Sequence, residues 1–421
     1  MIKNIEKFLI IIFLISLPWQ TRYIISSGQL ENNYWEYGTI ALYAIDIIVG
    51  ALFLLSLRYF KKLKIETWLI IIFAILLLAI NLSISLNKQI SLWHSLWIIE
   101  AFVIILMIKR SSIRTTTLSL IFAISAAMSG LLGIWQFLSQ TSPASKWLGL
   151  AEHQSGVLGT SVIEAVAPDG VIERWLRSYG SLDHPNIFGG LMSLSIIVLI
   201  WANLNKNDNR LYRIFSLLII VILSAGLISS FSRGAWLALI IGLIVLFLTQ
   251  EKRWQAIKKS FDFILCLVVV SVLFLIPFYY LLIPRFSNNS RLENTSVIER
   301  VSGYKEFLEI IKGNFWLGSG LGNYGLALHN QIPKKLVWFY QPVHNVFVLY
   351  FEELGVLGAV FFIFIIYAYI KNVPKEKKSL AFCLALALII IGIFDHWPMS
   401  LHPGIIIASS LIGLSLKQDN F

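Results

Sequence analysis

Four of the seven histidines, His184, His344, His396 and His402, stand where polar segments meet apolar runs. Histidine is the side chain best suited to accept a proton near neutral pH. The clearest junction is Pro342-Val343-His344-Asn345. It closes a long polar stretch and opens an apolar one that carries Glu352-Glu353 and Gly355-x-x-Gly358. Further polar junctions are Arg177-Ser-Tyr-Gly-Ser-Leu-Asp183-His184-Pro185-Asn186, Ser232-Arg233-Gly234, Glu299-Arg300 and Asp395-His396-Trp397-Pro398. Arginine supplies planar, permanently charged, bidentate donors that match phosphate oxygens. A base beside fixed guanidinium groups suits a lipid-linked diphosphate attacked by a hydroxyl. The base takes the hydroxyl proton and the arginines stabilise the departing diphosphate.

The elements that must position these residues are apolar. Of the 421 residues 57% are hydrophobic and 14% charged, with a mean hydropathy of +0.76. Soluble domains run near 25% charged, so the composition places the chain in a membrane. The net charge of +11 could suggest nucleic acid. In a polytopic protein that excess gathers in short cytoplasmic loops, so no nucleic-acid partner is expected. Cys266 and Cys383 both lie inside apolar runs, which leaves no disulfide framework or thiolate metal site.

A spanning helix needs roughly 20 apolar residues. That rule predicts an all-α polytopic protein with about twelve spans, at 6–25, 38–57, 67–86, 90–108, 115–138, 186–204, 213–230, 234–250, 261–283, 344–370, 379–397 and 401–416. The Lys3–Trp19 stretch resembles a signal peptide without a small-residue cleavage site and is expected to stay as the first helix. Clusters such as Arg58–Lys64, Lys109–Arg114, Lys252–Lys259 and Lys371–Lys378 fall in alternate loops, which predicts that both termini are cytoplasmic. The expected organisation is helices one to five in 1–138, an outer loop at 139–185, helices six to nine in 186–283, a large outer loop at 284–343 and helices ten to twelve in 344–421. The large loop is expected to carry short amphipathic helices on the membrane surface and to form a lid over a pocket.

Each junction also has a plain structural reading. Pro185 suits a first helical turn, capped by Asp183 or His184. Gly355 and Gly358 suit close helix packing. Glu352, Glu353, Asp46 and Glu100, carboxylates within apolar helices, are expected to face the bundle interior and pair there. Asp395 and His396 could form a polar helix-end turn. Arg233 sits in an outer loop only a few residues long, which points to an anionic group to bind. No carboxylate cluster in the outer segments resembles a divalent-metal site, so neither metal nor cofactor is expected.

His344-Asn345, then nine residues, then Gly355-x-x-Gly358, resembles the signature of the O-antigen ligase family. Ser232-Arg233-Gly234-Ala235-Trp236 is similar to its Ser-Arg-Gly motif. The stretch from Arg300 through Leu317-Gly318-Ser-Gly-Leu-Gly322-Asn323 is similar to its large loop, and His184-Pro185-Asn186 to an earlier helix start. The resemblance implies an integral membrane glycosyltransferase of the bacterial plasma membrane, metal-independent, with its site on the outer side. Such an enzyme takes a glycan from an undecaprenyl-diphosphate-linked donor and passes it to a hydroxyl of a glycan, lipid or protein acceptor. Carried over residue by residue, His344 matches the essential histidine, and Arg233 and Arg300 match the arginines that bind the diphosphate. Arg285 and Arg291 lie in the same loop as Arg300. Asn345 is expected to orient His344 or a sugar hydroxyl, while Arg177, His184, Asp395 and His396 are expected to line the donor or acceptor cavity. After Gly358 come Ala359-Val360-Phe361 rather than a third glycine, which weakens the match to lipid A-core ligases in particular. The alternative is a non-enzymatic transporter or flippase of the same lipid. Transporters tend to place polar sites near the midplane between related halves, whereas here they gather at one interface.

Overall fold

The computed structural model describes residues 1–206, 210–286 and 291–419. Among these, seven helices are long and apolar enough to cross a membrane: Ile65–Ile84, Lys88–Arg110, Thr115–Ser139, Pro185–Leu204, Arg210–Ser229, Val346–Asn372 and Lys375–Phe394. A rise of 1.5 Å per residue carries 20 residues across about 30 Å of hydrocarbon. The remaining expected spans are helices of 14 to 17 residues, Ile2–Ser16, Ala44–Phe60, Arg233–Leu248, Phe261–Leu275 and His402–Ser415. Length therefore leaves the expected count of twelve unconfirmed. The shortfall has a local cause in the first two. The helix expected over 6–25 stops at Ser16, ahead of Pro18, and the one expected over 38–57 begins only at Ala44. The residues between them form a hairpin, Arg22–Ser26 against Ile40–Tyr43.

The chain is mostly helical, but the all-α expectation needs correcting. Besides that hairpin, Val162–Val166 pairs with Ile172–Leu176, and two further pairs of two-residue strands cap the loops. The large loop also differs from expectation. Its first helix, Arg291–Asn314, runs 24 residues, and only the second, Tyr324–Gln331, is short. Gly303, Ile310 and Ile311 are buried on the long helix, while Val297, Ile298, Val301 and Leu308 stay exposed.

The bundle is built around Pro185–Leu204. Every residue from Ile187 to Asn203 is buried, as expected for a helix apolar on all faces. Helices Thr115–Ser139, Arg210–Ser229, Arg233–Leu248 and Lys378–Phe394 surround it. Its polar start, His184-Pro185-Asn186, is thereby held against the ends of its neighbours. The approach to that start is a buried loop whose backbone is satisfied by side chains. The Gln136 amide donates to the Gly180 carbonyl at 2.8 Å and accepts from the Gly180 N–H at 2.7 Å. Ser178 donates to the Gly133 carbonyl at 2.7 Å.

The helix that follows His344 is broken inside. Gly355 has φ 64° and ψ −165°, a conformation reserved in practice for glycine. The loop before Tyr324 fills the break. Ser319 and Gly320 donate backbone bonds to the carbonyls of Glu352 and Glu353, both at 3.0 Å, and Val356 donates back to Phe315 at 3.0 Å. Asn81 clasps the same turn, donating to Glu353 O at 2.8 Å and accepting from Leu321 N at 3.0 Å. Glu352 and Glu353 are indeed buried here, with Ser319 Oγ donating to Glu352 Oε2 at 2.9 Å. Gly355 thus does more than pack helices together: a Cβ there would stand 2.4 Å from the Trp316 carbonyl carbon. Gly355→Ala is expected to lower the melting temperature of the detergent-purified protein by several degrees, since left-handed backbone alone costs about 1–2 kcal/mol. Gly50→Ala, where an added Cβ meets nothing, serves as the control. Equal melting of the two variants would contradict a strained break.

Candidate functional site

His344 is the last residue before the helix cap. Asn345 is the N-cap, its Oδ1 accepting from Phe347 N at 3.0 Å and Val348 N at 3.1 Å. Its amide nitrogen donates to Tyr304 Oη at 3.1 Å and faces the Ile393 carbonyl at 3.3 Å. Both ends of the Asn345 side chain are thus engaged within the protein. It fixes the backbone from which His344 projects.

The His344 ring meets Asp395 from the turn after helix Lys378–Phe394. Nδ1 lies 3.6 Å from Asp395 Oδ1, an ion-pair distance slightly beyond a formed hydrogen bond. Asp395 is itself held on both oxygens. Its Oδ1 accepts from His396 N at 2.8 Å and its Oδ2 from Asn186 Nδ2 at 2.9 Å. Asn186 in turn accepts from Arg177 Nη2 at 2.8 Å, and Arg177 Nε donates to the Ser230 carbonyl at 2.8 Å. Four expected site residues therefore form one chain of contacts, with the unremarked Asn186 as its centre. Burial opposes ionisation of Asp395, but the His344 imidazole beside it outweighs burial and holds its carboxyl well below the usual range. His344 is thus paired with a standing carboxylate.

His184 behaves as the plain reading proposed. It caps the helix, its Nδ1 accepting from Asn186 N at 3.1 Å, while Nε2 meets Ser161 Oγ at 3.0 Å. Burial, then the neighbouring Arg177, pushes it down to about 3, so it stays neutral. His396, whose ring centroid is 5.5 Å from that of His344, pairs Nδ1 with Ser400 Oγ at 2.6 Å. Burial lowers it to about 4. These two imidazoles are neutral neighbours of His344.

That space is a cavity of about 940 Å³. Arg174, Arg177, Arg233, Arg285, Arg291 and Arg300 all line it, together with His344 and Asp395. Sequence reasoning expected three of these arginines on substrate and left Arg285 and Arg291 as neighbours of Arg300. Arg285 in fact sits with Arg233. The Glu293 carboxylate bridges them, 2.7 Å from Arg233 Nη2 on one oxygen and paired with Arg285 Nη1 on the other. Arg291 is occupied by Glu164 at 2.8 Å. Arg300 makes no ion pair among the described residues, and its Nε is buried without a partner. Arg174 arrives on the Val162–Val166 hairpin, which the Pro168-Asp169-Gly170 turn between alternating segments could have signalled.

A second, smaller cavity of about 230 Å³ adjoins the first. His184, Gln341, His344, Asp395 and Trp397 line both. The ligand atoms of His344, Asp395 and His396 lie within 4.8 Å of one another, as do those of Asp46, Glu100 and His402, so either trio could hold a metal ion. Only the fold brings His344 to the adjacent pair Asp395-His396, and Asp46, Glu100 and His402 together from three segments. Asp46 and Glu100 pair with His402 Nε2, at 2.8 and 3.2 Å, as expected of carboxylates inside a bundle.

Residues 218–363 match the family model described as O-antigen ligase. No curated protein matches the chain. The matched segment supplies Arg233, Arg285, Arg300 and His344, whereas Arg177, His184 and Asp395 reach the same cavity from outside it and His396 lines the smaller one. The apolar helices suit a multi-pass membrane protein, and the matched segment is similar to a family of glycosyl-transfer enzymes. Over residues 218–363, the chain is similar to the O-antigen ligase family.

Proposed function

We propose that the protein transfers a glycan from a polyprenyl diphosphate to an acceptor hydroxyl on the outer face of the bacterial plasma membrane. The observation that carries this reading is the position of His344, backed by a carboxylate, on the wall of a cavity lined by six arginines. Asp395 holds the ring so that Nδ1 carries the proton and Nε2 is free to act as base. Nε2 takes the proton of the acceptor hydroxyl as its oxygen bonds to the anomeric carbon. The bond from that carbon to the diphosphate oxygen breaks, and its electron pair leaves with the lipid diphosphate. Arg233, Arg285 and Arg300 stabilise the charge that develops there, in a cavity where fixed donors need no reorganisation. Arg177 acts at one remove, through Asn186 and Asp395.

The metal-capable geometry around His344 has a second use in this reading, as the support for the base. Purified protein in vesicles, given a lipid-diphosphate-linked glycan and an acceptor, is expected to release lipid diphosphate and form glycosylated product, with unchanged rate after EDTA. Movement of the lipid across the vesicle without product would favour the transporter alternative. Loss of transfer in EDTA, restored by a divalent cation, would replace the base by a metal centre.

A further inference from the structure

The reaction geometry assigns a role to the smaller cavity. Displacement at an anomeric carbon with inversion brings the nucleophile in from the side opposite the leaving group. If the diphosphate lies among the arginines, the acceptor must approach past His344 from the other side, where the second cavity opens. This inference rests on the glycosyl-transfer reading.

The walls of that cavity differ from those of the first. Only one arginine, Arg22, reaches it, beside aromatic surface from Tyr37, Tyr43, Trp97 and Trp397, five imidazoles, and carboxylates that include Glu36 and Asp183. Several of these groups have hydrogen-bonding capacity to spare. Arg22 Nη1 donates to Tyr43 Oη at 3.3 Å and makes no ion pair among the described residues. The Glu36 and Asp183 carboxylates and the Tyr37 hydroxyl make no hydrogen bond there either. Burial pushes both carboxyls above their usual range, against the nearby charge of Arg22. Such half-buried donors and acceptors between aromatic faces suit a ring bearing several hydroxyls on its edge and C–H groups on its faces. The volume of about 230 Å³ lies below the roughly 300–1,000 Å³ of ordinary small-molecule sites. That is room on the scale of a single sugar ring.

We infer that this cavity is the acceptor subsite and that it takes a single terminal sugar ring of a glycan, held by Arg22, Glu36, Tyr37 and Asp183 beside His344.

The test uses full-length protein with a lipid-diphosphate-linked glycan donor. The acceptors are a panel of methyl glycosides of hexoses and N-acetylhexosamines, alongside peptides bearing Ser or Tyr. Donor cleavage to water without acceptor is followed separately. At least one methyl glycoside is expected to be glycosylated and the peptides are not. In Glu36→Gln and Tyr37→Phe the KM for that glycoside is expected to rise about tenfold, the loss of one hydrogen bond to a ring hydroxyl. Donor KM and donor cleavage to water should stay as in the wild type. Glycosylation of peptides but not glycosides, or variants that raise donor KM and leave glycoside KM unchanged, would overturn the assignment while leaving the transfer reaction in place. Absence of any donor cleavage by the wild type would overturn the transfer reading, and the subsite with it.

Discussion

His344→Gln is expected to lose glycan transfer by roughly 10²–10⁴-fold, the usual worth of a positioned general base. Glutamine keeps the bulk of the ring and a polar end but cannot accept a proton. Donor binding, read as the inhibition constant for inorganic pyrophosphate, should stay close to the wild-type value, because the arginines are untouched. Membrane insertion and thermal stability should also persist, since the ring of His344 makes no hydrogen bond on which the fold depends. Asp395→Asn is the informative companion. Asp395 also accepts from Asn186 and from the His396 backbone, so its loss disturbs the support as well as the base. It should depress turnover through the misplaced ring and lower stability too. Transfer by His344→Gln at more than about a tenth of the wild-type rate would sink the mechanism.

Arg233→Lys is the second large effect expected. Arg233 and Arg285 present their guanidinium groups to one anion, at present the Glu293 carboxylate. A lysine keeps the charge but replaces a planar fork with a single point donor. One charge-assisted hydrogen bond is worth about 1.5–3 kcal/mol, so kcat/KM should fall roughly 10–100-fold. Loss carried mainly by donor KM would mean that Arg233 grips the diphosphate throughout. Loss carried by kcat would mean that it meets charge developing only as the bond breaks. Inhibition by pyrophosphate should weaken in parallel in the first case. A variant with unchanged kinetics would remove Arg233 from the donor site and leave the pair Arg285 and Arg300.

Which parts of this site could be read in the sequence follows from how local each signal is. His344, Arg233 and Arg300 sit in short motifs, and the fold does bring all three to one cavity. The longest apolar runs were legible because nothing competes with their helices. The runs before Pro18 and around Tyr43 were not, because hydropathy alone cannot tell an apolar strand from the end of a helix. That error hid the segment Arg22–Tyr43, and with it Arg22, Glu36 and Tyr37 of the smaller cavity. The contact between His344 and Asp395 spans two helices, and Asn186, which connects Asp395 to Arg177, looked like an ordinary early helix residue. Asn345 carries a local signal of its own, since an asparagine just ahead of a helix often caps it, as it does here.

The break at Gly355 changes what kind of gate the loop before His344 can be. Expected from sequence to be a lid, that loop is stitched by its own backbone into a helix of the bundle. Lifting it would strand the amides of Ser319, Gly320, Val356 and Leu357 away from their carbonyl partners. At roughly 1–3 kcal/mol for each unsatisfied group, the raised state would be populated less than about once in a thousand. On the glycosyl-transfer reading, this stitched segment is then a fixed wall of the site rather than its moving part.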